Sequence, residues 1–260
     1  MLLLQVILLA ILQGLTEFLP VSSSGHLVLG AAFFAWLGTP LERPITLEVI
    51  LHGGTLVATI AFFRSRLLKL FTEDCRLIGP LLVATLPAVI VGLPLRKLAP
   101  EFLENPWVAA TLLPVTGLIL IAAQNWAQGQ RDARDIPYWS AMVVGIFQAV
   151  AILPGISRSG ATIAAGLLCG LQPGEAAAFS FLLAVPVMCG ALVLEGTELM
   201  HNPPGDVSAG LLLLGFAASA VVGYGALIWL VRWLQTGRLY WFAWWTIVLG
   251  AISLIWLILR

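Results

Sequence analysis

Gln13-Gly14-Leu15-Thr16-Glu17-Phe18-Leu19-Pro20-Val21-Ser22-Ser23-Ser24-Gly25-His26 interrupts apolar sequence with a carboxylate, three consecutive serines and an imidazole. A second passage, Gln148 to Thr162, ends Leu153-Pro154-Gly155-Ile156-Ser157-Arg158-Ser159-Gly160-Ala161-Thr162. At a constant offset of 135, Gln13 falls on Gln148, Val21 on Ile156, Ser22 on Ser157, Ser23 on Arg158, Ser24 on Ser159 and Gly25 on Gly160. The two passages read as diverged copies. At the same offset Glu17, Ser23 and His26 meet Ile152, Arg158 and Ala161, so the first copy keeps acid/base and nucleophilic groups while the second carries a cation.

Each passage breaks an apolar segment in the middle, at 19–25 within 3–36 and at 154–160 within 138–170. Pro and Gly end helices, and Ser before an apolar run caps the next one. The halves are too short to span about 30 Å of hydrocarbon, so both segments read as re-entrant helical hairpins, with two kinked full spans as the alternative.

The surrounding composition demands a bilayer. The chain is 60% hydrophobic and 10% charged, against about 25% charged in soluble domains, with a mean hydropathy of +1.00. Six stretches predict transmembrane helices, at 47–63, 77–95, 106–124, 176–194, 208–230 and 241–258. The first is the shortest and carries Glu48 and His52. The expected fold is thus an all-α polytopic membrane protein, one integral membrane domain over 1–260, with six transmembrane helices and two hairpins. An odd number of spans per half inverts the second copy, giving inverted-topology repeats at about 1–125 and 138–258 whose tips can meet near the midplane.

Charge placement supplies sidedness. Arg64, Arg66, Lys69, Arg76, Arg131, Arg134, Arg232 and Arg238 fall in one set of connections; Arg43, Arg96, Lys97 and Arg260 fall in the other. Eight against four predicts the first set cytoplasmic and both termini outside, with the acidic 195–207 segment also outside. Lys+Arg and Asp+Glu balance at 13 each, so nothing draws nucleic acid. The three cysteines, Cys75, Cys169 and Cys189, lack ligand or disulfide-scaffold spacing and read as packing residues. The apolar start lacks a basic region and a cleavage site, so no cleaved signal peptide is expected. Trp36, Trp107, Trp139, Trp241, Trp244 and Trp245 lie near span ends, as an aromatic belt does.

Ionisable groups within a membrane are functional candidates by default, which singles out Glu17, His26 and Arg158, with Glu48 and His52 behind them. Gln13 and Glu17, four apart, share a helix face. Two helix N-termini, the Arg158 guanidinium, the hydroxyls of Ser22, Ser24, Ser157, Ser159 and Thr162, and close backbone approach at Gly25 and Gly160 make a phosphate cradle. A bare phosphate receptor gains nothing from a central carboxylate, so Glu17 argues for chemistry or for a metal. The blander readings are N-caps for the serines, a structural Glu17–Arg158 ion pair, and a His26 that only bonds its neighbours.

At these residues the chain resembles the undecaprenyl-diphosphatase family, the bacitracin-resistance membrane phosphatases of bacteria. The acid-or-amide before a glutamate matches Gln13 and Glu17 with Phe18 to His26 following; Pro-Gly-x-Ser-Arg-Ser-x-x-Thr matches Pro154 to Thr162; Phe179 to Pro186 resembles a further segment. The resemblance implies hydrolysis of undecaprenyl diphosphate to undecaprenyl phosphate and inorganic phosphate at the outer side of the cytoplasmic membrane, recycling the carrier for peptidoglycan synthesis. Some members have glutamate at Gln13; its absence here argues against a two-carboxylate metal site. Family members respond to divalent cations, so Mg²⁺ or Ca²⁺ at Glu17 is an expectation of the resemblance.

The expected catalytic set is Glu17, Ser23, His26 and Arg158, with Gln13, Ser22, Ser24, Gly25, Ser157, Ser159, Gly160 and Thr162 binding phosphate. Attack by Ser23, or by a water activated by Glu17 and His26, both fit. The partners are a polyprenyl diphosphate and membrane lipid; a homodimer is compatible with the sequence. Inverted repeats also suit a lipid-phosphate flippase or small-anion transporter, the competing class.

Overall fold

The computed structural model describes residues 2–38, 45–126, 128–201, 208–234 and 239–260. Arg43, Asp206 and Arg238, which entered the reading of charge and sidedness, lie outside them. Among the described residues the chain is helical, with no strand beyond one isolated bridge between Arg131 and Leu171. Its first part holds α1 (Leu2–Phe18), α2 (Ser23–Trp36), α3 (Ile45–Phe62), α4 (Arg64–Lys69), α5 (Ile78–Leu98), α6 (Pro100–Leu103) and α7 (Pro106–Trp126). The second holds α8 (Tyr138–Val150), α9 (Arg158–Leu168), α10 (Pro173–His201), α11 (Ala209–Leu234) and α12 (Tyr240–Leu259).

Five helices, α5, α7, α10, α11 and α12, are long and apolar enough to cross a membrane. The sixth expected span, 47–63, is α3, a shorter apolar helix over Thr46–Phe62. At about 1.5 Å per residue it covers roughly 25 Å, less than the hydrocarbon core of about 30 Å. The shortfall coincides with Glu48 and His52, the polar residues that shorten its apolar run. Pro87, Pro94, Pro114 and Pro186 sit inside spans, tolerated because neighbouring helices shield the freed backbone groups.

Small residues set the packing, as expected where lipid removes any hydrophobic drive between helices. α12 lies along α7, where a Cβ on Gly250 would strike Pro114 and the Ala110 carbonyl. α1 lies along α11 through Gly14, whose added Cβ would sit 2.9 Å from Val222 Cβ. α8 lies along α5 with Gly145 on the Ala84 backbone. The first break joins the main core, in which Phe18 meets Phe181 edge-on at 5.9 Å and Phe181 stacks on Phe63 at 5.6 Å, while Ala151 and Ile156 of the second form a smaller cluster with Ala161. The two short helices that follow the breaks differ sharply. α9 is buried at every position from Ser159 to Leu167, whereas α2 buries only Gly25, Val28 and Leu29.

Ion pairs tie the connections into two groups. Arg134 reaches Asp74 at 3.7 Å and Arg66 grips Glu175 through both Nη atoms, which brings the 64–76 and 131–135 connections to one face. Arg96 reaches Glu195 at 3.4 Å elsewhere. The packing role expected of the cysteines holds for Cys169 alone; Cys75 and Cys189 are exposed, since both sit on helix faces turned away from the core.

Candidate active site

Both helix breaks are built around a serine cap. Ser22 accepts the Gly25 N–H at 3.2 Å to start α2, and Ser157 accepts the Gly160 N–H at 3.1 Å to start α9. Each cap touches the serine two residues on, Ser22 to Ser24 at 3.4 Å and Ser157 to Ser159 at 3.2 Å. These four positions are the ones that the 135-residue offset superposes. The first break is Leu19 to Ser22; the second starts earlier than expected, at Ala151, because α8 ends at Val150.

Backbone conformation distinguishes the breaks further. Ser22 holds φ 70, the one left-handed non-glycine among the described residues, and such a conformation costs of order 1–3 kcal/mol unless its surroundings impose it. His26 supplies that constraint, since its Nδ1 lies 2.8 Å from the Ser22 carbonyl. In the second break Gly155 takes the left-handed position at φ 96, against the Ala109 carbonyl of α7. Thr116, also on α7, donates to the Gly155 carbonyl at 2.7 Å and accepts the Ser157 N–H at 3.0 Å.

The two tips meet. A Cβ on Gly25 would stand 3.0 Å from Gly155 Cα, and one on Gly160 would stand 3.2 Å from Pro20 Cβ. Ser159 donates to the Leu19 carbonyl at 3.3 Å. At the junction Glu17 is fully engaged: its Oε1 takes Arg158 Nη2 at 2.5 Å, and its Oε2 takes Gln13 Nε2 at 3.0 Å and Ser23 Oγ at 2.9 Å. Removing one member of such a buried pair leaves an uncompensated charge, typically at about 3–5 kcal/mol.

Beside this cluster is a cavity of about 200 Å³. Its polar wall comprises Thr16, Glu17, Ser22, Ser23, Ser24, His52, Gln148, Ser157 and Arg158, and its apolar wall includes Ala88, Ile152, Ile156 and Val187. The N-terminal residues of both α2 and α9 therefore line one space, where free N–H groups and the positive ends of two helices favour an anion. A wider outer recess shares Ser23, Ser24 and His52 and adds Glu48, Arg96, Glu104 and Glu195.

A model of the family described as bacitracin resistance protein BacA matches residues 6–252, both breaks included. The chain belongs to the BacA family. It is 44% identical to an undecaprenyl-diphosphatase of Rhodopirellula baltica over 96% of either chain. It is 40% identical to one from Rubrobacter xylanophilus, again over 96% of each, and 38% identical to one from Moorella thermoacetica over 98% of each.

Of the residues singled out in this BacA family sequence, Glu17, Ser22, Ser23, Ser24, Ser157 and Arg158 come together on the cavity wall. Gln13, Gly25, Ser159, Gly160 and Thr162 stand behind it: Gln13 bonds Glu17, the glycines let the tips close, and Thr162 bonds the Arg158 carbonyl at 2.7 Å and Ser180 at 2.6 Å. His26 is not on the wall. Its Nδ1 meets the Ser22 carbonyl and its Nε2 takes Trp245 Nε1 at 3.0 Å, so both ring nitrogens are engaged. His52 is on the wall instead, with Nδ1 held by the Glu48 carbonyl at 2.9 Å.

Thr116, Gln148 and Trp245 join the site without having been singled out for it. Thr116 is an isolated hydroxyl in an apolar span, and Trp245 reads as belt; only Gln148 carried a signal, its alignment on Gln13. For a resident Mg²⁺ or Ca²⁺ the donor set does not fit. Glu17 is the single carboxylate on the cavity wall and already accepts three hydrogen bonds, and no cluster of three His, Cys, Asp or Glu side chains able to hold a metal occurs among the described residues.

Proposed function

We propose that this chain hydrolyses undecaprenyl diphosphate to undecaprenyl phosphate and inorganic phosphate, the activity its relatives' name denotes, and so returns the lipid carrier to cell-wall synthesis. The observation that carries the reading is the Glu17–Ser23 hydrogen bond at 2.9 Å beside Arg158, at the junction of two helix N-termini. A hydroxyl already donating to a carboxylate is poised to attack, and the carboxylate is poised to take its proton.

The diphosphate occupies the cavity with its terminal phosphoryl group against Ser23. Arg158 spends Nη2 on Glu17 and keeps the rest of its fork for phosphate oxygens, with the α2 and α9 N-termini supplying further donors. Ser23 Oγ bonds to the terminal phosphorus as the bridging P–O bond breaks; Glu17 takes the hydroxyl proton and undecaprenyl phosphate leaves. Water then cleaves the phosphoserine and Ser23 recovers its proton. Phosphoryl transfer depends chiefly on positioning and charge stabilisation, which this cradle provides. The cavity has room for a headgroup rather than a polyprenyl chain, so the chain follows the apolar wall of Ala88, Ile152 and Val187 into lipid.

The membrane arrangement belongs to the same proposal. α3 joins the five longer helices as a sixth, thinner span, α1–α2 and α8–α9 form re-entrant hairpins, and the halves are inverted repeats. Packing supports this: α1 lies on α11 of the other half, and its counterpart α8 lies on α5, the counterpart of α11. The connections with Arg66 and Arg134 face the cytoplasm, and the recess with Arg96 and Glu195 opens outward along with both termini.

Phosphate release from undecaprenyl diphosphate by the purified protein in detergent tests the function. Turnover in wild type and its loss in Glu17→Gln is expected. A transporter would bind the lipid and release no phosphate, and that result would overturn the reading.

A further inference from the structure

Gln148 lines the reaction cavity and holds a buried polar atom that no partner among the described residues satisfies. The residue is only 2% exposed and lines the cavity near the end of α8. Its Nε2 donates to the Ala84 carbonyl of α5 at 3.4 Å, which fixes the orientation of the amide and leaves Oε1 as the atom to be satisfied. That oxygen is buried with no hydrogen-bond partner among the described residues, as is Oε1 of Gln13, its equivalent in the first copy. A buried carbonyl oxygen without a donor costs about 1–3 kcal/mol, so it is kept where something donates to it.

The substrate cannot be the main donor. A diphosphate presents acceptor oxygens, and a carbonyl oxygen facing them is repelled. Of the charged or titratable side chains on the cavity wall, Arg158 is bound to Glu17 and His52 is held through Nδ1 by Glu48, and neither is hydrogen-bonded to Gln148. Water is the co-reactant of the proposed hydrolysis and a donor that nothing else in the site needs. Gln148 and Ser23 stand on different hairpins that border the same cavity, so a water held by Gln148 can approach a phosphoryl group on Ser23 from the other hairpin.

We infer that Gln148 Oε1 holds and orients the water that hydrolyses the phosphoserine, an inference that rests on the serine-attack reading above. In this step the water oxygen bonds to phosphorus and the P–O bond to Ser23 breaks. Ser23 regains the proton that Glu17 took in the first step; of the two water protons one stays on the attacking oxygen and one passes to another phosphate oxygen, so dihydrogen phosphate leaves. The amide exchanges no proton; it fixes the direction of attack.

The inference predicts a defect confined to one step. Gln148→Met keeps the shape and removes the acceptor, and Gln148→Glu supplies a second variant that keeps an oxygen in place. Each is mixed with undecaprenyl diphosphate, quenched, and assayed for protein-bound phosphate and for steady-state phosphate release, with melting followed in the same detergent. Gln148→Met should turn over about 10²-fold more slowly, release undecaprenyl phosphate in a stoichiometric burst, and accumulate phosphoenzyme above the wild-type level, while Gln148→Glu retains more of the second step. Unchanged turnover in a folded Gln148→Met overturns the inference. So does a slower rate without a rise in phosphoenzyme. If wild type itself releases no phosphate, the functional reading has failed rather than this one.

Discussion

Arg158 and Glu17, 141 positions apart, share an ion pair of 2.5 Å that joins the two helix breaks at the cavity. The arginine side chain is only 17% exposed, and the same Nη2 also contacts the Met188 thioether at 3.9 Å. This geometry uses one edge of a planar fork for protein and leaves the other for ligand, which an ammonium cannot copy. Arg158→Lys should therefore keep the fold and lose about 10²-fold in kcat/KM toward the diphosphate, read by phosphate release together with a melting curve. Wild-type turnover in the lysine variant would remove Arg158 from the phosphate site.

His26 and His52 should fail differently. His26 is enclosed by the Ser22 carbonyl and Trp245, with its ring nearly coplanar with the indole at 4°. His26→Ala should release the strained Ser22 turn and cost about 1–2 kcal/mol in denaturant midpoints, with activity falling alongside. His52, on the cavity wall, should leave stability nearly unchanged when replaced by Gln and instead lower kcat by about tenfold or more. Equal stability losses in both variants would erase the distinction.

Gly155 tests whether the second tip is shaped by backbone need. At φ 96, with the Ala109 carbonyl 2.5 Å from where a Cβ would lie, alanine faces both strain and collision. Gly155→Ala should destabilise by more than about 3 kcal/mol and lower the yield of folded protein in detergent. A normal melting temperature would show that the tip can relax.

At the opposite face, Glu175 accepts both Nη atoms of Arg66 and the Ala133 N–H. Glu175→Ala strands these donors and should cost about 1–3 kcal/mol without changing KM. Nearby, the hydrogen bond from Arg134 holds the Asp132 carboxyl below its ordinary value. Because the folded value is depressed, the stabilisation is present above the ordinary 3.8 and lost as pH falls through the folded value. Asp132→Asn should therefore melt slightly below wild type at neutral pH and converge with it in acid; the exposed position keeps the difference small. A gap that widens in acid would contradict this.

Local chemistry made much of this legible. Proline, glycine and serine at 19–25 and 154–160 fix where helices stop and restart, and the caps at Ser22 and Ser157 follow from composition alone. Glu17 and Arg158 stand out because charge is expensive in an apolar setting. What sequence left open depends on which face of a helix points inward. His26 and His52 are both imidazoles in apolar helices, and only packing against α12 turns one onto Trp245 while the other borders the cavity. Thr116 is indistinguishable from other span hydroxyls until α7 lies against the second tip. Hydropathy read α3 as the equal of the other spans, whereas it is an apolar helix shorter than the five long ones.

The most direct test of the account is covalent. Wild-type protein quenched during turnover of undecaprenyl diphosphate and mapped by mass spectrometry should carry a phosphoryl group on Ser23, and Ser23→Ala should release no phosphate while still binding the lipid. An active Ser23→Ala protein, or phosphate release that proceeds with Ser23 never modified, would contradict attack by this serine at the meeting point of the two tips.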